Sequence, residues 1–208
     1  MNRLRKIACT LLAMSLCLAQ AALASGVVNL SDDEHYAMNL FLSNFTEVGA
    51  DVAFYSEDAA LVDFAHDHLW FNDHETFEYG EYANGNNCRV SDDWIQDIID
   101  HYFDGASQVD LSQSRFDYDG EYYYHNETGG GSNGGFALTL SAYAAEDDCY
   151  YVSFLIFGSG EKWGGDDLKL SLIDAEMKFG IPGHGGHAWI TASDLSDRST
   201  YRMISFSY

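Results

Sequence analysis

An α+β fold is what the amino-acid sequence predicts, with three N-terminal helices packed on a curved antiparallel sheet of about five to six strands. Three observations carry that expectation. Apolar residues recur at helical spacing as far as Phe103 and then alternate with period two beyond Gly105. The later apolar runs are joined by hairpin-like or glycine-rich connections without an intervening helix signal, as antiparallel pairing requires. A 47% apolar and 15% aromatic composition supplies a core despite the high charge.

The elements follow in order. Ser31 opens Ser-Asp-Asp-Glu, a capping box, and Ala37, Leu40, Phe41, Phe45 and Val48 recur at helical spacing up to Gly49. Ser56 opens a second helix, with Ala60, Leu61, Phe64, Ala65 and Leu69 on one face. Ser91 caps a third, carrying Trp94, Ile95, Ile98, Ile99, Tyr102 and Phe103. The turn-rich residues 75–90 between them leave room for a short strand or hairpin. Asp119-Gly120 marks a hairpin between Phe116–Tyr118 and Glu121–Tyr124. Strands are expected where Phe136 to Tyr143 and Tyr150 to Ile156 alternate, at Leu168, Leu170 and Leu172, and over 188–192 and 201–208. Helices followed by such a sheet suggest the cone-shaped folds related to nuclear transport factor 2.

The first 24 residues read as a secretory signal peptide. Arg3, Arg5 and Lys6 precede an apolar run from Ile7 to Leu18, and Ala22-Leu23-Ala24 supplies a small-x-small cleavage site. The run is too short to span a membrane, which takes about 20 apolar residues. The expected organisation is a leader over 1–24 and one acidic domain over 25–208, secreted or periplasmic, without membrane insertion after cleavage. The mature 184 residues would hold 7 Lys and Arg against 33 Asp and Glu, a formal charge of −26. Such acidity repels nucleic acid and anionic membrane surfaces.

Cys88 and Cys149 are the only cysteines beyond the leader. In an oxidising compartment they are expected to pair, closing a long loop worth roughly 4 kcal/mol; two separate buried thiols are the alternative. No metal site is indicated. His66 and His68 are two apart on a helix and diverge, His74 stands alone, and His184 and His187 sit among glycines. The paired acids Asp32-Asp33, Asp92-Asp93, Asp147-Asp148 and Asp166-Asp167 lack the spacing of a calcium loop. There is no nucleophile elbow, zinc-hydrolase signature or phosphate loop, and no cofactor is implied. Tyr122, Tyr123, Tyr124 and Trp163 offer either a carbohydrate or peptide platform or core aromatics.

The stretch Met38-Asn39-Leu40-Phe41-Leu42-Ser43-Asn44-Phe45-Thr46-Glu47 resembles an uncharacterised domain family of secreted or membrane-attached bacterial proteins, with a first-helix motif close to N-I-F-L-S-N-F-S-E. Leu61-Val62-Asp63-Phe64-Ala65-His66-Asp67-His68 matches the family's next stretch, and Val90 to Phe103 and Phe116 to Tyr124 its later helix and tyrosine-rich segment. The resemblance covers residues 36 to about 124. It implies a compartment and a domain but no activity, and this chain is much more acidic than the usual member.

Asn39, Ser43 and Glu47 fall at i, i+4 and i+8 beside the apolar face of the first helix, with Asn44 nearby. Such groups either satisfy backbone where helix meets sheet or line a pocket, with Glu47 and His68 facing one cavity. The leading expectation is a non-enzymatic binding or interaction module of the cell envelope, its ligand or protein partner undefined. The alternative is a small secreted enzyme using Glu47 and His68 as an acid/base pair.

Overall fold

A computed structural model describes residues 26–49, 56–103, 109–126, 134–158 and 162–208. The expected leader over 1–24 and most of the glycine-rich stretch 128–135 lie outside these. The described residues form an α+β arrangement with four α-helices and two antiparallel sheets of four strands each. The helices are α1 (Asp32–Glu47), α2 (Asp58–Asn72), α3 (Asp92–Tyr102) and α4 (Leu172–Phe179). The smaller sheet holds β1 (Glu78–Tyr79), β2 (Cys88–Ser91), β3 (Asp117–Tyr118) and β4 (Tyr122–His125) in the order β1-β2-β4-β3. The larger holds β5 (Phe136–Ala144), β6 (Cys149–Phe157), β7 (His184–Thr191) and β8 (Arg202–Ser207) in chain order.

Two features depart from the expected fold. The strands are divided between two sheets instead of forming one curved sheet. Leu168 and Leu170 belong to a 3-10 turn and its exit, and Leu172 opens α4. The physical reason is local: the Ser171 hydroxyl accepts from the amide of Asp174 and caps a helix, which outweighs the period-two spacing of the leucines. The three leucines still bury against Phe136, Leu138 and Phe157.

The main core lies between α1, α2, α3 and both sheets. Phe45 is fully buried, stacked on Phe64 at 4.7 Å and on Phe206 at 5.2 Å, with Tyr102 and Phe103 edge-on. Val90 and Tyr123 enter from the smaller sheet, and Val152, Phe154 and Ile190 from the larger. At its start, α1 is fixed by the capping box: Glu34 accepts from the Ser31 amide at 2.7 Å while the Ser31 hydroxyl accepts from the Glu34 amide.

The edge of the larger sheet is closed from two directions. Along its first half, β5 receives polar side chains of α1. Along its second half, Val28 donates its amide to Ala142 and Ala144 donates to Gly26, so the segment before α1 extends the sheet. An otherwise open row of backbone donors and acceptors is thereby covered. The helix approaches closely enough that a Cβ on Gly134 would lie 2.2 Å from the Glu47 carbonyl oxygen and 2.4 Å from that of Thr46. Gly134→Ala must therefore push the chain off α1, and we expect a loss of about 1–3 kcal/mol in denaturant unfolding. Gly183→Ala, where a Cβ meets nothing within 4 Å, is the matched control and should change little.

Candidate functional site

The residues predicted to share one pocket separate into two groups. Asn39 and Ser43 face the backbone of β5. Asn39 Oδ1 accepts from the Thr139 amide at 2.7 Å and its Nδ2 donates to the Leu168 carbonyl at 2.9 Å. Ser43 Oγ accepts from the Ala137 amide at 2.9 Å and donates to the Asn39 carbonyl at 2.6 Å. Thr46 continues this stripe by donating to the Gly135 carbonyl at 2.7 Å. Helix geometry explains why Thr46 takes the place expected for Glu47. At 3.6 residues per turn, i+7 lies about 20° from Asn39 around the helix, whereas i+8 lies about 80° away.

Glu47, Asn44 and His68 do gather, together with Asn72 and Tyr102. Asn72 Nδ2 lies 3.2 Å from Nδ1 of His68, and Tyr102 Oη lies 3.4 Å from Nε2. A neutral His68 with its proton on Nε2 satisfies both contacts, accepting from Asn72 and donating to Tyr102. Burial pushes the His68 pKa down to about 4, with the positive charges of His101 and Arg198 acting in the same direction. Burial raises the Glu47 carboxyl above its ordinary range, partly offset by the Asn72 amide. Burial also raises the Tyr102 phenol. Asn44 is buried beside Tyr102, with its Nδ2 unpartnered. Phe64 stacks on the His68 ring at 5.9 Å and Tyr102 meets it at 4.9 Å, so aromatic rings occupy the space a substrate would need.

A second polar cluster lies between α2 and the smaller sheet. His66 Nε2 is 3.1 Å from His125 Nδ1, and its Nδ1 lies 3.6 Å from Asp67, which Arg115 grips at 2.5 Å. Burial lowers both histidine pKa values, His125 to about 4, with His66 adding to the effect there. Cys88 faces His125 across the strand pair, its sulfur 3.3 Å from Nδ1 and 3.0 Å from Nε2. A sulfur so close to both nitrogens lies along neither lone-pair axis, so the pair has no ligating or base-to-nucleophile geometry. Among the described residues no three His, Cys, Asp or Glu side chains are arranged to hold a metal ion.

The expected Cys88–Cys149 disulfide is not formed. Cys88 sits on β2 of the smaller sheet, buried beside His125, whereas Cys149 opens β6 of the larger sheet. Both are buried thiols.

Two clefts among the described residues are open to solvent. One, of about 740 Å³, lies among the start of α1, β5 and residues 168–172, and includes Asp32, Tyr36, Leu140 and Lys169. Asn39 lines it, but both of its amide atoms already serve backbone.

The other cleft, of about 340 Å³, opens on the outer face of the smaller sheet. Register places Glu78, Arg89, Tyr124 and Asp117 in one row across four strands, and hence on one face. Tyr122 shares that face while Tyr123 points inward and is fully buried. Asn84 and Asn86, from the turn before β2, both donate to Asp117 Oδ2, at 3.2 and 3.1 Å. Tyr124 Oη donates to Asp119 Oδ2 at 2.6 Å, which draws the Asp119 pKa down. Tyr82 meets Tyr124 at 5.4 Å, and the Arg89 guanidinium lies 3.8 Å over Tyr122 and 5.2 Å from Tyr82. Arg89 is itself held by Glu78, through Nε at 3.0 Å and Nη2 at 2.6 Å. Arg89 thus holds Tyr82 and Tyr122, Asp119 holds Tyr124, and Asp117 holds the two amides.

Comparison with protein-family models, with curated proteins and with solved structures gives no match. The two turns that build the outer cleft are legible in sequence, as Asn84-Gly85-Asn86-Asn87 and Asp117-Tyr118-Asp119-Gly120. That they meet is a long-range pairing, since β2 joins β4 across more than thirty residues.

Proposed function

We propose that the chain is an extracytoplasmic, non-enzymatic binding module of the bacterial cell envelope, which takes a small polar ligand in the outer cleft of the smaller sheet. The observation that carries this reading is the cleft itself. It combines half-buried tyrosine rings with amide and carboxylate groups held in fixed orientation, and among the described residues no serine, cysteine or histidine lines it. Preorganised polar groups beside apolar faces favour recognition, because little side-chain entropy is lost on binding. The acid/base alternative is disfavoured by the rings that fill the space around His68. Export rests on the leader pattern and on the first-helix resemblance, and the relation to cone-shaped folds on the order of helices before sheet.

Two experiments test the proposal. Amide chemical-shift mapping of the full chain against neutral oligosaccharides, free amino acids and short peptides should yield a ligand that shifts residues 82–86 and 117–124. A compound that instead shifts Glu47 and His68 and is turned over would restore the enzyme reading. Mass spectrometry of the protein recovered from outside the cytoplasm should show Ser25 as its first residue, and an intact Met1 there would refute export with cleavage.

A further inference from the structure

We infer that the ligand of the outer cleft is a neutral saccharide, an inference that rests on the binding-module reading and adds its chemistry. A pyranose offers two unlike surfaces: a flat C–H face and a rim of hydroxyls, each both donor and acceptor. The cleft presents the complement of both. Tyr82 and Tyr124 supply amphipathic rings with half-buried faces in the cleft. Asn84 and Asn86 spend amide nitrogen on Asp117 Oδ2, so the two amide oxygens and Asp117 Oδ1 stand outside those bonds. Carboxamide and carboxylate groups of this kind fork adjacent hydroxyls, accepting from one and, for the amide, donating to the next.

Charge narrows the class. Asp117 and Asp119 border the cleft, no cation among the described residues lines it, and Arg89, paired with Tyr124 across the strands, is held by Glu78 and stacked on Tyr122. The whole chain carries a formal charge of −23. Anionic sugars are repelled at such a surface, and a neutral chain pays no electrostatic penalty. The size of the cleft, about 340 Å³, suits one or two sugar rings with the rest of the oligosaccharide in solvent.

The test is calorimetric titration of the full chain with cellohexaose and chitohexaose, alongside polygalacturonate and trialanine, with amide shifts recorded in parallel. A neutral hexaose should bind saturably, shift residues 82–86 and 117–124, and bind equally in EDTA. Tyr82→Ala should weaken it at least tenfold and Tyr82→Phe less than threefold, because stacking needs the ring and not the hydroxyl. Asn84→Ala, an exposed position, should weaken it comparably and serves if Tyr82→Ala does not fold. Trialanine shifting the same amides while neither hexaose binds would overturn the saccharide inference and leave the binding module standing. Polygalacturonate binding as tightly as the hexaoses, or binding abolished by EDTA, would overturn direct recognition of a neutral sugar. If none of the probes shifts these residues, the cleft is not a site and both readings fall.

Discussion

Asn39→Ala is expected to lower stability by about 2–5 kcal/mol, the largest effect of any single polar replacement on α1. One amide side chain there satisfies two buried backbone groups, the Thr139 amide and the Leu168 carbonyl, and alanine leaves both without a partner. Each orphaned group costs about 1–3 kcal/mol. Asn39→Asp discriminates further. It keeps the acceptor for Thr139 but cannot donate to Leu168 when ionised, so its deficit relative to wild type should be largest near pH 7 and shrink on mild acidification. Urea unfolding of both variants at pH 7 and pH 5 measures this. Losses below about 1 kcal/mol would mean that water replaces the amide and that the stripe does not anchor α1 to the sheet edge.

Acidification should destabilise the protein between pH 6.5 and 4. His68, His66 and His125 are held neutral by burial, with folded pKa values below the ordinary 6.5. The sign follows from proton counting. Above pH 6.5 neither folded nor unfolded chain protonates these rings, so stability there is full. As pH falls below 6.5 the unfolded chain takes up protons that the folded chain refuses, and stability is lost until the folded pKa is reached. For His68, buried and pushed down to about 4, the loss is on the order of 3 kcal/mol. Glu47 acts in the opposite sense: its raised pKa penalises the folded state as pH rises through the carboxylate range. The melting temperature should therefore drop steeply from pH 6.5 to 4.5, and His68→Gln should make the drop shallower. A melting temperature flat from pH 7 to 5 would contradict the neutral, buried assignment.

Local chemistry made much of this fold legible in sequence. The Ser31 capping box, the third helix after Ser91 and the Asp119-Gly120 turn are all present, with Gly120 at a φ of 105° that glycine adopts without strain. The second helix begins one residue later than expected, after Glu57. What sequence did not disclose is long-range. Division of the strands into two sheets depends on β2 finding β4, which no local pattern encodes. The candidate pocket failed on a small angle: equal i+4 spacing drifts around a helix, sending Glu47 toward Asn72 while Thr46 holds the β5 edge. The tyrosine run shows the same limit, since alternation gives two faces without saying which is buried. Tyr123 fills the core, whereas Tyr122 and Tyr124 share the outer face and Tyr124 lines the cleft.

Recognition in the outer cleft requires that Glu47 and His68 serve as scaffold. The most direct measurement is an NMR pH titration of the His68 ring in the wild type and in Glu47→Gln. The His68 ring is expected to stay neutral from pH 8 to below 5 in both proteins, with Glu47→Gln altering stability alone. A His68 midpoint at or above 6.5 that falls when Glu47 is replaced would mean a coupled imidazolium–carboxylate pair, and would contradict the scaffold role.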